Sequence, residues 1–190
     1  MSRSLSTRVA AAVAALAATV SLAACSSESS DSDSTTAASS SGYRSVEQIK
    51  DDGTVKIGVF SDKAPFGYVD SSGNYAGYDI EYGNRLAKDL GVNLEYVPVE
   101  AASRVEFLDT NKVDIILANF TVTPERSEKV DFANPYMKVS LGAVTPDKAP
   151  INDVEGLKGK KVIVVKGTTA ETYLEKNHPE IQLQKYEQYT

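Results

Sequence analysis

The stretch Ala118-Asn119-Phe120-Thr121-Val122-Thr123-Pro124-Glu125-Arg126 brings a Thr hydroxyl and a guanidinium to one predicted helix start. Thr123 suits an N-cap and Pro124 a first helical position. The apolar run 113–118 before them reads as a strand covered on both faces. In open parallel sheets, ligands bind beyond the carboxyl ends of strands. An Arg placed there offers a two-pronged match to a carboxylate. A surface Arg in an ion pair is the competing reading of this stretch taken alone. A second stretch, Val164-Val165-Lys166-Gly167-Thr168-Thr169-Ala170-Glu171, has the same plan of strand, glycine turn and helix start. Its free N–H groups suit an anion, although plain capping of a structural helix accounts for it equally well. The GxxxxGK[ST] spacing of a phosphate loop is absent. Two anion-seeking helix starts, one per lobe, together favour a small carboxylate held in a cleft between them.

Other chemistries lack their residues. Cys25 is the single cysteine of the 190 residues and lies ahead of the folded part. A thiol nucleophile or a zinc-thiolate site in the folded part is therefore excluded. His178 is the single histidine and precedes Pro179, so it is expected exposed at a helix end. The acidic runs at 51–52 and 125–131 read as solvated faces, so no metal site, catalytic residue or cofactor is expected. A formal charge of −6 speaks against a nucleic-acid partner.

The elements that must position these residues alternate. Ser45-Val46-Glu47-Gln48 has capping-box spacing and opens a short helix ending near Gly53. Residues 55–60 alternate as a strand, and a turn at 70–74 joins two short aromatic segments. Residues 78–90 place Ile80, Gly83, Leu86, Ala87 and Leu90 on one helical face, with Gly91 as the stop. A strand at 92–99 follows. Ser103-Arg104-Val105-Glu106 reads as a second capping box, opening a helix to Asn111. This alternation implies an α/β fold with a parallel sheet. Pro135 and Pro146 bracket an extended segment suited to crossing between lobes. Beyond it lie a strand at 160–165, a helix at 171–176 and a strand at 181–186. That second lobe is too small to close a core. The sequence therefore reads as cut short, with 162–165 and Leu174 left uncovered. Residues 43–190 alone are expected to keep the first lobe folded, leave the second poorly protected, and bind no amino acid tightly.

The N-terminus reads as an address. Arg3 and Arg8 precede an apolar run at 9–22, too short to span a bilayer. Leu22-Ala23-Ala24-Cys25 resembles the bacterial lipobox, in which cleavage precedes an acylated cysteine. The expected organisation is a signal at 1–24 and a lipidated Cys25 with a Ser-rich tether to residue 42. Lobe 1 then covers 43–140 and the start of lobe 2 covers 141–190. The tether, rich in Ser, Thr, Ala and acids, has too little apolar surface to fold.

Gly77-Tyr78-Asp79-Ile80-Glu81-Tyr82 with Leu86-Ala87-Lys88-Asp89-Leu90 resembles the signature of the solute-binding proteins of amino-acid ABC transporters, family 3. The 113–136 string and Lys166-Gly167-Thr168-Thr169 match as well, so the resemblance covers 43–190. Tyr82 departs from it, since a smaller aliphatic is usual there. Gly58-Val59-Phe60, Pro65-Phe66-Gly67-Tyr68 and Glu100-Ala101-Ala102-Ser103-Arg104-Val105-Glu106 look most like the cysteine- or cystine-binding branch.

The resemblance implies a two-lobed periplasmic-binding-protein-like clamp outside the cell membrane, lipid-anchored and paired with an ABC permease. Arg126 and Thr121 would take the α-carboxylate of a free amino acid, with Thr168 and the Thr169 N–H at the facing helix start. Asn119 would offer oxygen to the α-ammonium. Phe60, Lys63, Phe66 and Arg104 would line the side-chain end. Cysteine or cystine is the first substrate expected and glutamate or aspartate the second. A dehydratase-type enzyme and a sensor module on the same fold are the alternatives.

Overall fold

The computed structural model describes residues 42–189. The expected signal, Cys25 and the tether as far as residue 41 lie outside the described residues. The first helix, α1 (Val46–Asp52), starts at the expected capping box: the Ser45 hydroxyl accepts from Gln48 N–H, and the Gln48 side chain accepts from Ser45 N–H. Strand β1 (Thr54–Val59) follows and becomes the centre of a three-stranded parallel sheet. Val55, Ile57 and Val59 are wholly buried, as the period of two demands of one strand face.

Three short antiparallel strands, β2 (Asp62–Lys63), β3 (Gly67–Val69) and β4 (Tyr75–Ala76), form a small side sheet. The turn at 70–74 holds itself through Asp70, whose carboxylate accepts from Ser72 and Asn74 N–H. Helix α2 (Tyr78–Leu90) then lays Ile80 and Ala87 into a core with Ile49, Val55, Ile57 and Leu117. Its N-cap, Gly77, has φ +121°, and a Cβ there would sit 2.3 Å from the Phe66 carbonyl oxygen. Only glycine allows α2 to start this close to the 65–66 backbone.

Strand β5 (Asn93–Pro98) pairs in parallel with β1 from Thr54↔Asn93 to Val59↔Pro98. Helix α3 (Arg104–Asp109) is entered through a 3-10 turn at Ala101–Ser103. The capping box expected at Ser103 does not form. Ser103 already has helical angles (φ −90°, ψ −2°), whereas a capping side chain needs extended backbone. Strand β6 (Ile115–Ile116) pairs with β1 on its other side. The apolar run 113–118 is therefore only partly ladder. It ends where Asn119 turns to φ +45°, a conformation that Asn tolerates better than most residues.

Helix α4 (Pro124–Ser127) has Thr123 as N-cap and Pro124 first, as expected. Residues 131–146 carry no regular structure. Strand β7 (Lys161–Val165), helix α5 (Thr169–Asn177) and strand β8 (Gln182–Tyr186) complete the chain, with β7 and β8 parallel. Here one expectation is corrected. Val164 and Leu174 are buried together with Leu157 and Ile181, because β8 and the turn at Glu155–Leu157 reach both. Ile163 is 66% exposed, so one face of β7 does stand open. His178 does stand at the end of α5, as its C-cap, but it is half-buried against Tyr173 (ring centroids 5.5 Å apart) and not exposed.

Candidate functional site

The carboxyl ends of β1 and β6, the starts of α3 and α4, and the turn before α5 meet at one place. Phe60 follows β1 and is 1% exposed. Arg104, the first residue of α3, is 3% exposed. Its Nε donates to the Ala101 carbonyl, and Nη1 donates to the carbonyls of Ala118 and Asn119 at 3.0 and 3.3 Å. Nη2 crosses to the Gly167 carbonyl at 2.9 Å. Arg126 Nη2 donates to that same carbonyl, also at 2.9 Å. Two guanidinium groups thus converge on one neutral oxygen.

Phe120 keeps them in place. The Arg104 and Arg126 guanidinium carbons lie 4.4 and 4.7 Å from its ring centroid, within cation–π range. Burial depresses the pKa of Arg104 to about 10, helped by the neighbouring Arg126, and burial depresses Arg126 as well. Lys63 stands beside this pair. Its Nζ donates to the Asn119 amide oxygen at 3.0 Å and to the Tyr189 hydroxyl at 2.9 Å. The rings of Phe60 and Phe66 lie 5.3 and 5.5 Å from it. Burial first, and Arg104 second, push Lys63 down to about 8.

Phe60, Lys63, Phe66, Arg104, Asn119, Thr121, Arg126 and the turn before α5 are therefore brought together. Several of their contacts with one another run through main-chain carbonyls. Thr121 meets Arg126 through its carbonyl, 2.7 Å from Nη1, and not through its hydroxyl. The Thr168 hydroxyl is committed to α5, donating to the Val165 carbonyl and accepting from Glu171 N–H. Thr169 supplies the first residue of that helix. Gly167 itself, at φ +72°, has its would-be Cβ 2.4 Å from the Ala102 Cα. Glycine is what lets the two backbones touch, and the Glu171 carboxylate accepts from its N–H at 2.7 Å.

Three participants were not assigned a role from sequence. Asp79 is wholly buried beneath the site, accepting from Asn119 N–H at 3.0 Å and from the Tyr136 hydroxyl at 2.8 Å. Burial raises its pKa, against those two hydrogen bonds. Tyr136 holds Asp79 in turn. Tyr189 packs edge-on to Phe60 (centroids 5.4 Å) and donates its N–H to Asp62 at 2.8 Å. Asp79 stands inside a quoted motif, so its signal was present. Tyr189 is one of 10 tyrosines in the sequence, and no local motif sets it apart from the others. A cavity of about 770 Å³ adjoins the site and shares Asn119, Phe120, Thr121 and Tyr136 with it, although none of the three cations lines it.

The titration of Lys63 has a checkable sign. Its folded pKa lies below the ordinary lysine value of 10.5. Between pH of about 8 and about 10.5 the unfolded chain binds the extra proton, so stability rises with pH there. Relative to Lys63→Met, the wild type should gain stability across that window and lose it as pH falls through about 8. Denaturant midpoints at pH 7 and pH 10 check this. Equal differences at both pH values would remove the desolvated-ammonium picture.

A site rich in convergent cations and aromatic walls, without any cluster of metal-ligating side chains among the described residues, suits a small organic anion. The chain is similar to the solute receptor for L-cysteine of Neisseria gonorrhoeae, at 53% identity and TM-score 0.75 over 77% of this chain and 61% of that one. It is similar to the cysteine-binding protein of Campylobacter jejuni, at 55% identity and TM-score 0.74 over 76% and 59%. The L-cystine-binding protein of Escherichia coli K12 is 29% identical over 75% of this chain and 54% of its own length. The chain thus spans about half to three-fifths of the length of these relatives. The model of bacterial extracellular solute-binding proteins, family 3, matches residues 55–186. The α/β architecture, the helix starts that converge on one carbonyl and this match agree, and the chain belongs to the bacterial extracellular solute-binding proteins of family 3.

Proposed function

We propose that the protein is the substrate-capture component of an ABC importer, binding a polar amino acid outside the cell membrane and passing it to a permease. Cysteine or cystine is the first ligand, glutamate or aspartate the second. The observation that carries the reading is the pair Arg104 and Arg126 donating to a single neutral carbonyl at Gly167. A ligand carboxylate is a stronger acceptor for such a pair than a carbonyl. Named relatives that bind cysteine and cystine support the choice of side chain. No covalent step is involved, and Cys25 serves as the lipid anchor. In this reading residues 43–140 form one lobe and 141–190 begin the other, and closure brings Gly167 and α5 onto the ligand.

Calorimetric titration of the full-length protein with the twenty amino acids and cystine tests the reading. Saturable heat with cysteine or cystine is the expected result. Binding of none of them would overturn it, and binding confined to glutamate and aspartate would move the second substrate to first place.

A further inference from the structure

The three cations of the cleft have no carboxylate in direct contact; Asp79 and Asp62 act on Lys63, and Glu125 on Arg126, only from a longer range. Lys63, Arg104 and Arg126 make no ion pair with any carboxylate among the described residues. Every hydrogen-bond partner they have is neutral: main-chain carbonyls, the Asn119 amide oxygen and the Tyr189 phenol. The carboxylates around the cleft are committed elsewhere. Asp79 serves Asn119 N–H and Tyr136, Asp62 serves Tyr189 N–H, and Glu171 serves Gly167 N–H and Lys185. Buried cations without partners are costly, so the site is built for negative charge to arrive with the ligand.

A zwitterionic ligand with a neutral side chain adds no net negative charge to these donors, all of whose direct acceptors are neutral. An amino acid brings an α-ammonium with its α-carboxylate, and a neutral side chain leaves the cationic excess where it was. The geometry shows where a second anion belongs. Arg126 and Arg104 both lie against the Phe120 ring, and Arg104 and Lys63 lie 5.6 and 5.3 Å from the centroid of the Phe60 ring. The cations form a row with Arg126 at the carboxylate end and Lys63 at the other.

We propose, resting on the amino-acid-binding reading above, that the ligand is held with its side chain ionised, cysteine entering as the thiolate facing Lys63 and Arg104. A free thiol has a pKa of about 8.5, and neighbouring Lys and Arg lower such a value. The S–H proton passes to solvent on binding, and no bond to the protein forms. The groups that face Lys63 are Arg104 from α3, Asp79 from α2, Asp62 beside it on β2, and Tyr189. Lys63, held at about 8, keeps most of its charge at pH 7 and loses it above. Cysteine affinity should therefore rise close to tenfold per pH unit from about pH 6 and level off near pH 8. Serine, whose hydroxyl stays neutral, shows no such rise.

The test is calorimetry of the full-length protein with L-cysteine, under a phosphine reductant, at pH 7 in buffers of different ionisation enthalpy. About one proton released per cysteine is expected, with none for serine and distinctly fewer in Lys63→Met. The ultraviolet thiolate band of the bound ligand gives an independent readout. Cysteine bound with no proton released and no thiolate band overturns the proposal and leaves amino-acid capture standing. Preference for cystine, which has no thiol, overturns it likewise. Failure of every amino acid to bind overturns both readings together.

Discussion

Arg126→Ala is expected to abolish tight amino-acid binding by the full-length protein while its melting temperature stays near the wild-type value. The guanidinium sits in the first turn of α4, aimed by the Thr123 cap and the carbonyl of Thr121. It is half-buried and stacked on Phe120, so it waits in position with little side-chain freedom left to lose. Removing one partner of a desolvated, charge-assisted pair costs about 2–5 kcal/mol. That is roughly 30- to 5,000-fold in Kd. The fold tolerates the loss, because Arg104 still holds the Gly167 carbonyl. Arg126→Lys keeps the charge without the two-pronged geometry and should recover only part of the affinity. Titration calorimetry beside a thermal melt reads both effects. Unchanged affinity in Arg126→Ala would remove this residue from the site.

Much of this arrangement was legible in the sequence because it is written in local patterns. The cap at Ser45, the Thr123–Pro124 helix start, the glycine stops at Gly53 and Gly91, and the alternation of β1 all follow from spacing within a few residues. Arg126 and the Gly167 turn were found for the same reason. What escaped depends on contacts between distant segments. Arg104 does more than line a side-chain end, since its guanidinium links three segments separated by up to 63 residues. No periodicity announces that. Ser103 looked like a cap because Glu106 follows at the right spacing. The close approach of Gly167 to Ala102 instead places a 3-10 turn there, and the serine is drawn into helical angles. The covering of Val164 and Leu174 was missed similarly, because Ile181 and Leu157 come from either side of β7 in sequence. The resemblance to the family supplied which residues are expected to face a ligand. It assigned no role to Asp79, whose carboxylate anchors the site from below.

Asp79→Ala is the substitution expected to cost the fold most. Asp79 lies on the first turn of α2 and is wholly buried. Its two oxygens serve Asn119 N–H and the Tyr136 hydroxyl, joining α2 to the turn after β6 and to the segment beyond α4. Alanine leaves both donors without a partner at about 1–3 kcal/mol each, so a loss of roughly 2–6 kcal/mol is expected. It also frees Asn119, whose φ of +45° is held by that contact and whose side chain is the acceptor for Lys63. Asp79→Asn separates shape from charge. The amide oxygen still accepts from Asn119 N–H, and the amide nitrogen donates to the Tyr136 oxygen. The pH dependence then has a definite sign. Burial raises the Asp79 pKa above the ordinary 3.8, so the folded state holds the proton more tightly than the unfolded chain. The stability this provides is complete below about pH 3.8 and is lost as pH rises through the folded value. Asp79→Asn has no such loss, so its stability relative to wild type should climb between pH 4 and pH 7. Denaturant midpoints of the three proteins at both pH values decide it. An Asn variant whose deficit stays constant with pH would mean that Asp79 is not a buried, desolvated carboxylate, and that Asn119 is held in place by something else.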